Sequence, residues 1–142
     1  MHTSEVIALV VVLALVAVLV ATNLPALSGP GVYTAAHQIA ADIRFARHLA
    51  ITDAVDYVVT FFADPLQPGR FARYVVKNSL TGERVVERRI DDAVSCSGPD
   101  ELTLKPDGSA GAAGTLACTA EALTYKIALS RLTGRVAITR MP

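Results

Sequence analysis

Residues 6–21 read VIALVVVLALVAVLVA, sixteen positions without one polar side-chain atom. The run ends at Thr22-Asn23, then Pro25, then Ser28-Gly29-Pro30-Gly31. As an α-helix the run spans about 24 Å. From residue 1 to residue 24 the helix would reach about 36 Å, against the ~30 Å of a bilayer core. Ala14, Ala17 and Ala21 share one face, where small residues let helix backbones approach closely. Val and Leu fill the remaining faces. A helix apolar all round must be covered on every side, by lipid or by other helices. Glu5 stands at the mouth of the run, and there is no Lys or Arg before Arg44. A carboxylate beside aliphatic surroundings calls for a partner. An α-amino group is the nearest candidate, either its own chain's Met1 or that of a neighbouring copy. The other reading leaves Glu5 solvated at a membrane surface.

The absence of a basic flank departs from both a secretory signal and a simple anchor with a Lys/Arg bias. It leads to the expectation that a basic leader has been removed and that Met1 is the mature N-terminus. An ordinary initiator Met on a signal anchor is the alternative. A kink or unwound stretch is expected over residues 23–31, because Pro25 removes a helical donor and Ser28-Gly29-Pro30-Gly31 breaks any regular element. The chain is thereby divided into an apolar segment, 1–31, and a folded part, 32–142.

Periodicity resumes at once. Ala36, Ile39, Ala40, Ile43, Ala46, Leu49 and Ala50 keep a 3.6-residue spacing, with Gln38, Asp42 and Arg44 off the stripe. A second helix is predicted over residues 32–54. His37 and His48 are eleven apart, too far for a shared metal, and read as surface or boundary residues.

From Asp56 the period becomes two. The sequence predicts seven short antiparallel strands between residues 56 and 140, packed against the second helix. They cover 57–62, 71–77, 84–90, 102–104, 115–117, 123–130 and 135–139. Tyr57 to Phe62 is β-branched and aromatic, as strands prefer. Leu80-Thr81-Gly82 and Thr133-Gly134 mark hairpin turns. The fold class is therefore α+β: a long N-terminal hydrophobic helix, kinked near residues 23–31, and a small antiparallel β-sheet domain.

The 142 residues carry 13 Lys and Arg against 13 Asp and Glu. A neutral balance excludes a globally basic nucleic-acid binder. A chain 52% hydrophobic and 18% charged is not a disordered one. No nucleophile–base or metal-ligand motif is present, so neither enzyme nor cofactor chemistry is expected. Arg84, Glu87, Arg88 and Arg89 read as a solvated sheet face, and Asp91-Asp92 as loop acids. Gly108, Gly111 and Gly114 read as turn material. Cys96 and Cys118 are the only cysteines. Each sits at a strand edge or in a loop, and in an exported chain they are expected to form a disulfide, worth about 3 kcal/mol for a loop of this size; two inert buried thiols are the alternative. Residues 122–142 hold Lys126, Arg131, Arg135 and Arg140 and no acid. Clustered on one edge, Arg131, Arg135 and Arg140 would bind phosphates; the other reading is an edge strand guarded by charge.

The layout resembles the type IV pilins and the pseudopilins of type II secretion. Met1 and Glu5 opening an aliphatic helix with a proline near residue 25 resemble their processed N-terminus. Ala35 to Arg47, Pro106-Asp107-Gly108 and Leu132-Thr133-Gly134-Arg135-Val136 resemble the GspH/FimT minor pilin group. The resemblance implies the pilin fold, removal of a leader by a prepilin peptidase, methylation of Met1 and a role for Glu5 in assembly. It further implies storage in a bacterial inner membrane, then a periplasmic or extracellular filament made with copies of itself or other pilins. Some members of the FimT group bind DNA through a Gly-Arg-x-Arg ending. Here Gly134-Arg135 matches and Ala137 stands at the second Arg, with Arg140 beyond it. DNA uptake is thus the alternative function.

Overall fold

The computed structural model describes residues 3–27 and 31–142, with side chains of the first helix described through residue 17. That helix, α1, is Thr3–Leu27, and the second, α2, is Val32–Asp53. Helix α1 continues through Asn23 and Pro25 to Leu27, inside the stretch where the interruption was expected. Near a helix end, proline removes one hydrogen bond without stopping the turns before it. Residues 28–30, part of the expected kink, lie outside the described residues. Helix α2 starts on Gly31 at φ 51° and ends on Ala54 in the left-handed conformation, φ 56°. Among the described residues no helix is both long and apolar enough to cross a membrane.

Eight strands follow: β1 Tyr57–Ala63, β2 Phe71–Asn78, β3 Arg84–Arg89, β4 Ser95–Ser97, β5 Glu101–Leu104, β6 Gly114–Ala120, β7 Leu123–Leu129 and β8 Val136–Met141. Seven were expected. The extra one, β4, is a three-residue Ser-Cys-Ser strand with no apolar period to announce it. The strands form two four-stranded antiparallel sheets, β3-β2-β1-β5 and β4-β6-β7-β8, rather than one. Helix α2 lies across both, against β1, β2 and β5 of the first and β6, β7 and β8 of the second. Its stripe is fully buried: Ala36, Ile39, Ala40, Ile43, Ala46 and Ala50 are all at 0–1% exposure. They meet Val59, Val76, Leu104, Leu116 and Ile127 from the two sheets. Burying a side chain such as Ile43 contributes about 1.5–3 kcal/mol.

Because two sheets lie beneath it, α2 buries a wider arc than its apolar stripe. Asp42, read from sequence as off the stripe, is only 5% exposed. Its carboxylate accepts from Tyr74 Oη of β2 at 2.5 Å and from Arg88 Nε of β3 at 2.6 Å. Arg88 is thus an ion-pair partner that ties β3 to α2, not simply part of a solvated face. Burial first, and the Asp42 hydrogen bond second, push the Tyr74 phenol above its ordinary value.

Cys96 and Cys118 are disulfide-bonded. The sequence placed them at strand edges or in loops. They lie directly opposite each other across β4 and β6, both fully buried. The short edge strand β4 is therefore held covalently to the second sheet.

Candidate functional site

Two surfaces remain unsatisfied. The first is α1. Every large apolar side chain described on it is exposed, Ile7 at 63% and Leu13 at 60% among them, and none belongs to the core. Among the described residues nothing covers that cylinder. Glu5 is exposed in the first turn, while Met1 lies outside the described residues.

The second surface is a basic corner at the C-terminal half of α2. Three segments distant in sequence converge there. Arg47 Nε donates to Gly108 O at 2.9 Å, and Arg44 Nη2 donates to Val136 O at 3.2 Å. Ala110 N donates to Arg131 O at 2.9 Å, which joins the 105–110 loop to the β7–β8 turn. Gly134 sits at φ 64° against this assembly. A Cβ there would collide with Gly108 O and stand 2.9 Å from Arg47 Nε. Only glycine suits both the backbone conformation and the space.

Arg44, Arg47, Lys105, Arg131 and Arg135 therefore share one corner. Asp107 lies on the same loop, its carboxylate accepting from Ser109 Oγ at 2.6 Å and Ser109 N at 2.9 Å. These bonds hold its pKa below the ordinary carboxylate value. Among the described residues, Arg44, Arg47, Lys105, Arg131 and Arg135 make no salt bridge. Sequence reasoning missed Arg44, Arg47 and Lys105. Their i, i+3 spacing put Arg44 and Arg47 on one side of a helix, a signal that was available. That they meet a turn some ninety residues later (Arg44 to Val136, |i−j| 92) was not.

Arg140 is not part of this corner, which corrects the expected clustering of three arginines on one edge. It pairs across the hairpin with Tyr125, whereas Val136 pairs with Leu129 at the other end of β8. Four residues of strand separate Arg140 from Val136, about 14 Å. Arg140 instead shares the α1-proximal end of α2, where Tyr33 lies against His37 (ring centroids 4.1 Å) and edge-on to Tyr125 (5.8 Å). His37 is half-buried and His48 exposed.

A cleft on the first sheet is lined by Arg70, Arg73, Arg88 and Arg89 with Asp64, Glu87 and Asp92. Its charges are paired, Arg73 to Glu87 at 3.3 Å and Arg70 and Arg89 both to Asp92 at 3.7 Å within the cleft, and Arg88 to Asp42 of α2. Among the described residues, no group of three or more His, Cys, Asp or Glu is gathered as a metal would require.

No family model matches the chain, and no curated protein matches it. Solved structures do. The type IV minor pilin FimU of Pseudomonas aeruginosa superposes with a TM-score of 0.62 at 13% identity, covering 76% of this chain and 92% of FimU. The minor pseudopilin EpsH from the Type 2 Secretion System of Vibrio cholerae gives 0.60 at 11% identity, covering 75% of this chain and 94% of EpsH. The chain has the α+β fold of these minor pilins and pseudopilins, with a helix laid across antiparallel sheets.

Proposed function

We propose that the chain is a structural subunit of a type IV pilus-like or type II secretion pseudopilus filament, assembled through α1. The observation that carries this reading is the apolar cylinder of α1, uncovered within the chain, on a protein whose fold is that of minor pilins. Residues 1–31 would form the filament core and residues 32–142 the outer part. Side-by-side burial of many α1 copies drives assembly, at about 25 cal/mol per Å² of apolar surface. The contact is head-to-tail and does not close, so it generates a helix rather than a ring. Glu5 pairs with the Met1 amine of a neighbouring copy and sets the axial register; N-methylation of Met1 keeps that positive charge. A prepilin peptidase exposes Met1, and the inner membrane stores the subunit before assembly. Replacing Glu5 by Ala is expected to abolish or sharply reduce incorporation into filaments while the protein stays in the membrane fraction. Wild-type filament yield from Glu5→Ala would refute the role.

The basic corner favours a second reading, DNA capture for uptake. Arg131 and Arg135 are joined there by Arg44, Arg47 and Lys105, and phosphate binding by such a corner is salt-dependent and indifferent to sequence. Gel-shift titration of the protein at two salt concentrations is the test. Salt-sensitive binding lost on neutralising Arg131 and Arg135 supports it. Binding that survives those changes, or none at all, removes it. Arg140→Gln is expected to leave DNA binding in place, because Arg140 stands at the other end of β8.

A further inference from the structure

We infer that the α1-proximal end of the 32–142 part is a docking surface for an anionic lipid bilayer. The inference rests on the reading that α1 is stored in a membrane before assembly. Gly31, which opens α2, is four residues from Leu27, so the chain limits their separation to about 14 Å. Whatever holds the end of α1 therefore holds this face close by.

The chemistry of the face matches a headgroup layer. Tyr33, 57% exposed, stands in the first turn of α2, with His37 and Tyr125 against its ring. Leu123 is exposed on the same side of β7 as Tyr125. Arg140 lies directly opposite Tyr125 and, among the described residues, makes no salt bridge. Tyrosine rings settle at membrane–water boundaries, with the ring in the apolar layer and the hydroxyl in water. A guanidinium bonds phosphate through two parallel N–H groups. Lys126, next along β7, faces the other side of the sheet from Tyr125, and Glu121 is the exposed acid of the adjoining β6–β7 turn. Tethering converts docking into an intramolecular step, so a small surface suffices.

The chain contains no tryptophan, which makes single-tryptophan variants clean reporters. Full-length Val12→Trp, Tyr33→Trp and Leu132→Trp proteins are reconstituted into phosphatidylcholine/phosphatidylglycerol vesicles whose acyl chains are brominated near the carbonyl. Val12 reports on α1, and Leu132, 86% exposed, on the distal turn. The expected result is loss of emission for Val12→Trp and Tyr33→Trp and none for Leu132→Trp. Adding Arg140→Gln to Tyr33→Trp is expected to weaken docking on the anionic vesicles about fivefold, the worth of one basic residue near such a surface. If Val12→Trp is quenched but Tyr33→Trp behaves like Leu132→Trp, α1 is in the bilayer and the docking surface is refuted. If Val12→Trp is itself unquenched, the membrane reading fails and this inference falls with it.

Discussion

Helices α1 and α2 are nearly equal in length, 25 and 22 residues, and opposite in what they ask of the rest of the chain. In α2 Ala36, Ile39, Ala40, Ile43, Ala46 and Ala50 form one stripe that two sheets of the same chain bury, with Leu49 half-buried at its edge and Tyr33, Phe45 and Ile51 exposed off it. In α1 apolar residues occupy every face, and among the described residues nothing covers them. A stripe points to a partner inside the molecule; a full apolar cylinder points to one outside it. On the proposed function, the part that folds and the part that assembles are divided along the sequence by the character of two helices.

The largest expected effect tests that separation directly. Ile43→Ala on α2 is expected to cost about 2–5 kcal/mol, read as a lower denaturation midpoint. Leu13→Ala on α1 is expected to leave that midpoint unchanged while reducing filament yield. A midpoint lowered equally by Leu13→Ala would mean that α1 has a partner within the chain, and the comparison would break.

A smaller effect sharpens the α2 side. Arg88→Met leaves the buried Asp42 carboxylate with Tyr74 but no cation. The expected cost is about 1–3 kcal/mol, toward the low end because Arg88 is half in water, where charge pairs are screened. Converting Asp42 to Leu in the Arg88→Met background is expected to recover part of the loss, since removing both partners of a buried pair costs less than removing one. A double variant less stable than Arg88→Met would show that Asp42 acts mainly through its Tyr74 bond to β2, not through the ion pair to β3.

These residues also mark where sequence reading stopped. The two helices, the disulfide pair and seven of the strands were legible because each has a local signature: an apolar run, period 3.6, period 2, turn glycines, a single pair of cysteines. Strand β4 was not, because Ser-Cys-Ser has no pattern and owes its place to Cys118 across the sheet. Asp42 was misjudged because a helix laid on two sheets buries its flanks as well as its stripe. The basic corner was half visible. The C-terminal arginines stood out by charge, but Arg140 was grouped with them since sequence proximity conceals the length of a strand. Arg44 and Arg47 join them only through tertiary bonds to Val136 and Gly108. Pro106-Asp107-Gly108 and Leu132-Thr133-Gly134-Arg135, separate segments of the family resemblance, turn out to be two sides of one contact around Arg47.

That contact yields the smallest and most local expectation. Asp107 is held below the ordinary carboxylate pKa by its bonds from Ser109. A depressed folded-state pKa means a contribution complete above the unfolded value, about 3.9, and lost as pH falls through the lower folded value. Between neutral pH and about pH 4 the Lys105–Ser109 turn is therefore expected to stay closed. On further acidification Asp107 protonates, the turn loosens, and Gly108 O drifts from Arg47, while the Ile43 stripe stays packed. Carboxyl-carbon NMR should place the Asp107 midpoint below the ordinary value, with the Ser109 amide shift following the same curve and Asp107→Asn abolishing it. A midpoint at or above the ordinary value would mean that the turn is held by its backbone alone. The far end of α2 would then owe its anchorage to the close seat of Gly134 rather than to charge.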